Sequence, residues 1–164
     1  MPFEKTQAEA WMEEVLTLAV EAGRRDEVPV GALFVHEGKG IARGANRREE
    51  THRTVSHAEV EALEAYSRAT AQWRLPIGTS LFVSAEPCLM CTGALLWARV
   101  ENIYYGCEDP RDAGLLRIRP LINDGVYDHR FKEIEGGILG ERSAELMRAY
   151  FRLKRKGDSP RSAR

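Results

Sequence analysis

The sequence predicts an α/β domain layered around a mixed five-stranded sheet. Short β-branched and aromatic runs alternate with longer segments of helical periodicity, the pattern of strands interleaved with helices. The 164 residues suit one domain with a sizeable core. Turn and cap signals fall between the periodic segments, where boundaries belong.

Thr6 and Glu9 form a capping-box pattern, predicting a first helix over Gln7 to Ala22. Its Trp11, Met12, Val15, Leu16, Ala19 and Val20 make one apolar face, which reads as core. Val30 to His36 reads as a strand, and Glu37-Gly38-Lys39-Gly40 turns it into a second, Ile41 to Ala45. A polar loop from Asn46 to Val55 leads to a helix beginning after Ser56, apolar at Val60, Leu63 and Ala65. Thr79 to Ser84 carries the Leu-Phe-Val run of a buried strand, and Pro87 starts a helix that reaches Ala98. Val100 to Tyr105 is the fourth strand, followed by a loop from Gly106 to about Arg130. Phe131 to Glu135 is a short fifth strand, and Glu141 to Lys156 the closing helix. Residues 1–156 thus form one domain, and 157–164 a basic, disordered tail.

Composition excludes several classes. Hydrophobic residues make up 43% and charged residues 30%, values of a globular chain. No apolar run approaches the ~20 residues of a membrane span, and Met1 to Glu14 lacks the pattern of a secretory signal. The expectation is a cytoplasmic protein without membrane association, in which three cysteines favour metal or redox chemistry over a disulfide framework. The net charge of −1 gives no global attraction to nucleic acid, yet Arg148 to Arg164 holds seven Lys or Arg against one acid, Asp158.

Two clusters carry chemistry. His57-Ala58-Glu59 sits at one predicted helix start, and Pro87-Cys88-Leu89-Met90-Cys91 at another. Helix N-termini present free N–H groups and partial positive charge, which favour thiolates. Two thiolates and one imidazole are ligands of the kind zinc prefers, and a catalytic zinc has three protein ligands where a structural one has four. No fourth ligand is obvious; Cys107 lacks a spaced partner and reads as a small buried hydrophobe. Glu59, two residues beyond His57, can face the open position and carry protons. Each piece has a structural alternative: Ser56 to Glu59 fits a capping box, a lone histidine is usually core, and Cys88-x-x-Cys91 resembles a thioredoxin-type redox centre. Together, H-x-E followed by P-C-x-x-C matches the zinc deaminase signature. His36 and His52 read as surface and loop residues, and His129 has no assigned role.

On these motifs the chain resembles the cytidine deaminase superfamily, and within it the bacterial tRNA adenosine deaminases. The resemblance extends from about Trp11 to Arg155, through Glu27 to Ala32, Asn46, Glu86-Pro87-Cys88, Tyr105-Gly106, Asp109, Asp128-His129-Arg130, Glu135 to Leu139 and Tyr150-Phe151-Arg152. It implies a three-layer cytidine-deaminase-like fold, with helices on both faces of the sheet, and a zinc-dependent hydrolase acting on tRNA. By resemblance, Asn46 hydrogen-bonds the target base, the Ala58 N–H meets its edge, Val30 packs on its face and Asp109 contacts the ribose. Tyr150, Phe151, Arg152, Lys154 and Arg155 on the final helix bind RNA, and the enzyme is a homodimer, with Leu95, Leu96 and Trp97 available to an interface. The chain departs from the family pattern before the metal motif, where Arg53-Thr54-Val55-Ser56 replaces Asp-Pro-Thr-Ala. It departs again at Arg48, often Pro, and after Asp109, where Pro110 to Leu116 stands in place of a Gly-Ala-Ala-Gly-Ser stretch. All three are pocket-rim loops. Adenosine deamination in the tRNA anticodon loop is the leading expectation. Deamination of a free base or nucleoside such as guanine or cytosine, a thiol–disulfide oxidoreductase and a non-catalytic zinc-stapled RNA-binding module are the alternatives.

Overall fold

The structure, a computed structural model, describes residues 3–109, 114–125 and 127–157. The elements run α1 (Lys5–Arg24), β1 (Gly31–His36), β2 (Lys39–Ala45), α2 (Arg48–Thr51), α3 (Ala58–Thr70), β3 (Ser80–Ala85), α4 (Leu89–Trp97), β4 (Asn102–Cys107), α5 (Gly114–Asn123), β5 (Glu133–Glu135) and α6 (Gly140–Arg155). The strands form one sheet in the order β2-β1-β3-β4-β5. β1 is antiparallel to β2 and β3, while β4 is parallel to β3 and β5, so the sheet is mixed. Most of the tail expected over 157–164 lies outside the described residues, as does 110–113 of the divergent loop.

Alternation along the strands builds the three layers. Phe34, Leu81, Val83 and Ile103 point to one face and pack under α3 and α4 with Ala58, Ala62 and Leu95. Leu33, Val35, Phe82 and Tyr104 point to the other, against Met12, Val15 and Leu16 of α1 and Leu146 of α6. Both faces are buried, as a sheet carrying parallel pairs requires. The β1–β2 hairpin turns through Glu37 and Gly38 at φ 48° and 69°, the two positive dihedrals of a right-twisted two-residue turn.

Some local expectations fail for physical reasons. α1 starts at Lys5 with Glu4 at its cap and no side-chain cap, so the Thr6–Glu9 box does not form. The Ser56–Glu59 box fails as well: the N-cap of α3 is His57, and the Ser56 hydroxyl oxygen accepts from Thr51 Oγ1 at 3.0 Å. α5 occupies part of the expected loop, burying Leu115, Ile118 and Ile122 although Pro120 interrupts its hydrogen bonding. Leu95 and Leu96, expected to need a cover, are buried within the fold, whereas Trp97 is 67% exposed. β2 lies so close to α3 that a Cβ on Gly44 would meet the Ala58 carbonyl oxygen at 2.3 Å. That contact fixes the start of α3, where the metal motif begins, against the sheet.

Candidate metal centre

Two helix starts converge to make the site. His57 caps α3 and Cys88 caps α4 in extended backbone conformations. The Cys88 sulfur accepts the Cys91 N–H at 3.5 Å, doing for α4 what an Asp or Ser cap does elsewhere. The His57 side chain makes no cap hydrogen bond; the Ala58 N–H, the first of α3, donates instead to Asn46 Oδ1 at 2.9 Å, reached from the end of β2. That bond orients the Asn46 amide so that its NH2 group is left to donate to another partner.

His57 Nδ1 lies 3.5 Å from Cys88 Sγ and 3.6 Å from Cys91 Sγ. A tetrahedral zinc, with Zn–S about 2.3 Å and Zn–N about 2.0–2.1 Å, holds sulfur and nitrogen roughly 3.6 Å apart. The three side chains therefore stand at the separation the ion demands, with zinc's preferred donor set. They are the one cluster of three or more metal-ligand side chains found among the described residues. Cys107 is outside it, its sulfur 3.5 Å from the Ser143 hydroxyl. Three ligands leave a tetrahedral ion one open position, the catalytic pattern.

Charge around the cluster is set by burial and mutual contact. The hydrogen bond from Cys91 holds the Cys88 thiol down at about 4, helped by His57, while Cys91 is held far above its ordinary value by the same bond and by burial. Two adjoining sulfurs thus keep one proton between them, which metal binding would release. His57 is raised by its bond to Cys88, with burial and the Arg48 charge opposing. Glu59 is 4% exposed, and burial raises its carboxyl above the usual range. Its carboxylate is within hydrogen-bonding reach of the Cys91 sulfur, beside the metal position without belonging to the cluster. A buried carboxyl with a raised pKa suits proton transfer near neutral pH.

The site opens into a cavity of about 300 Å3 whose walls include Val30, Asn46, Arg48, His57, Glu59, Asp109, Met147 and Phe151. Its volume fits a small-molecule site. Of the substrate-binding residues expected from sequence, Val30, Asn46 and Asp109 line this cavity. Ala58 does not, being fully buried with its N–H directed to Asn46. A larger cavity of about 610 Å3 shares Ala85, Asp109, Met147 and Phe151 with it and adds Arg148, Arg152 and Arg155 of α6.

α6 is less free than its sequence implies. Lys154 Nζ pairs with Asp26 at 2.6 Å, and the Tyr150 hydroxyl donates to the Asp26 carbonyl at 3.3 Å, so both anchor α6 to the end of α1. Arg152 pairs with Glu145 at 2.6 Å. Phe151, Arg152 and Arg155 remain on the second cavity's wall. Sequence reading passed over Met147, which lies one helical turn before Phe151, and gave Arg48 no role. His129 donates from Nε2 to the Val100 carbonyl at 2.5 Å and is structural.

Comparison with known proteins agrees with this geometry. The family model for the cytidine and deoxycytidylate deaminase zinc-binding region matches residues 5–107. The tRNA-specific adenosine deaminase of Agrobacterium fabrum is 38% identical over 148 residues, 90% of this chain and 96% of that protein. A solved structure from work on A-to-I editing by tRNA:A34 deaminases at the wobble position of transfer RNA superposes with a TM-score of 0.76. It is 37% identical and covers 82% of this chain and 96% of that one. The guanine deaminase of Bacillus subtilis superposes with a TM-score of 0.58 at 34% identity, over 61% of this chain and 64% of that one. With the matched region spanning both metal motifs and the ligands at zinc separation, the chain belongs to the cytidine and deoxycytidylate deaminase zinc-binding family.

Proposed function

We propose that this chain is a zinc-dependent hydrolase that deaminates adenosine to inosine in the anticodon loop of tRNA. The observation that carries the choice of RNA is the second, arginine-bearing cavity opening beside the catalytic one. A free base needs the first cavity alone, whereas a base extruded from an RNA loop brings flanking phosphates that need cations beside it. The tRNA-specific relatives support the same reading.

His57, Cys88 and Cys91 hold the ion, which when bound makes water nucleophilic near neutral pH. Glu59 would take one proton from a water at the open position and deliver it to the ring nitrogen, then carry the remaining hydroxyl proton of the adduct to the amine, which leaves as ammonia. Val30 packs against the base face, Asn46 donates from its amide to the base, and Asp109 meets the ribose. Phe151, Arg152 and Arg155 hold the RNA on the second cavity, with Tyr150 and Lys154 acting through their anchor on Asp26.

Replacing Arg152 and Arg155 together by Ala lowers kcat/KM on a tRNA anticodon stem-loop by about 10- to 100-fold, roughly 1.4–2.7 kcal/mol for two phosphate contacts. The salt dependence becomes shallower, and turnover of free adenosine or guanine hardly changes. Ammonia release measured over a salt series checks this; equal RNA turnover by variant and wild type sinks the RNA assignment. Guanine is the second reading, favoured by the solved guanine deaminase and by the internal pairing of Arg152.

The enzyme is proposed to work in the cytoplasm as a homodimer, since Leu89, Met90 and Trp97 leave α4 with exposed apolar surface. Light scattering at micromolar concentration should give twice the chain mass; a monomer there removes the dimer. No helix among the described residues is long and apolar enough to cross a membrane.

A further inference from the structure

The wall of the catalytic cavity holds one Lys or Arg, Arg48, together with the carboxylates of Glu59, Glu86 and Asp109. An anionic substrate entering that cavity meets three acids and a single guanidinium. Three arginines around α2 are committed to the protein. Arg47 is bidentate with Glu50 at 3.1 and 3.0 Å, Arg53 pairs with Glu64 at 2.5 Å, and Arg25 lies 3.7 Å from Glu50. Glu27, 1% exposed, accepts the Glu50 N–H at 2.8 Å and ties α2 to the body. Among the described residues no hydrogen bond or ion pair engages Arg48.

Arg48 also follows Asn46 by two residues on this braced segment, so a base-contacting amide and an unengaged guanidinium share one rigid support. Guanidinium is planar, permanently charged and matched to bidentate binding of phosphate. We propose that Arg48 is a specificity-determining residue that binds a phosphate adjoining the base held in the cavity. The site thereby favours phosphate-bearing nucleotides over free bases and nucleosides. This deepens the RNA reading and rests on it for the identity of the base.

The zinc-loaded wild type, Arg48→Ala and Arg48→Lys are compared on an anticodon stem-loop, AMP, adenosine, GMP and guanine. Arg48→Ala is expected to lose about tenfold in kcat/KM on the stem-loop, carried by KM, the size of one charge-assisted hydrogen bond. Arg48→Lys recovers part of the loss; in Arg48→Ala the salt slope falls by about one and adenosine is unaffected. A loss on AMP equal to that on RNA marks a terminal phosphate as sufficient; a loss on RNA alone marks a phosphate within the chain. Undiminished RNA turnover overturns the assignment, as does an equal loss on adenosine, which would place Arg48 in the metal chemistry. If the wild type ignores RNA and deaminates guanine, the tRNA reading fails by itself. Arg48 is then judged by GMP against guanine: a preference for GMP erased in Arg48→Ala upholds it, and no preference overturns it.

Discussion

Glu59→Gln should abolish deamination while leaving one zinc per chain. The substitution keeps the shape and the buried position but cannot take a proton from water, and general acid–base groups contribute about 10²–10⁴-fold. A loss in kcat of at least about 10³-fold is expected, because Glu59 serves both proton transfers. Zinc is retained, since the cluster consists of His57, Cys88 and Cys91. Stability provides a further control. Burial raises the Glu59 pKa, so the fold disfavours its ionised form above the ordinary carboxylate range. A neutral amide avoids that cost, and the metal-free variant should melt no lower than metal-free wild type. Zinc analysis, a melting curve and single-turnover kinetics on one preparation decide it; an active Glu59→Gln would remove Glu59 from the chemistry.

Cys88→Ala has an effect as large by a different route. Cys88 is both a metal ligand and the cap of α4, its sulfur accepting the Cys91 N–H. Two ligands remain, and the tetrahedral site loses the thiol held lowest in pKa, at about 4. Zinc should fall to near zero per chain and turnover by about 10³-fold or more, because metal activation of water supplies several kcal/mol. Wild type should melt higher with zinc than without, by a stabilisation of about 2.7 kcal/mol when free zinc is 100 times its Kd, and Cys88→Ala should lose that increment. Cys107→Ala is the matched control, since its sulfur contacts Ser143 outside the cluster. Full zinc and activity in Cys88→Ala would dismantle the site.

The chemistry was the more legible part of this chain. The His-x-Glu and Pro-Cys-x-x-Cys motifs are local, their order is carried in the chain, and helix starts bring them together. The strands were legible too, because alternating burial leaves a two-residue period. What escaped rests on contacts distant in sequence or on weak local signals. α5 has Pro120 inside it and reads as loop. Asn46 reaches twelve residues along the chain to the Ala58 N–H, a partnership no local pattern encodes. Lys154 and Tyr150 also meet Asp26, far off in sequence, an anchor that no local pattern shows. Arg48 departs from the family pattern, and only the folded cavity shows Arg47 and Arg53 engaged while, among the described residues, Arg48 has no hydrogen bond or ion pair.

The proposed activity is zinc-dependent deamination of adenosine in tRNA. The most direct test incubates the zinc-loaded wild type with tRNA bearing adenosine in its anticodon loop, and with free guanine. Released ammonia and the nucleoside content of the digested tRNA are then quantified. Inosine replacing the anticodon adenosine, with one ammonia per inosine and little ammonia from guanine, is the predicted result. Unaltered tRNA, with ammonia released from guanine, would contradict it.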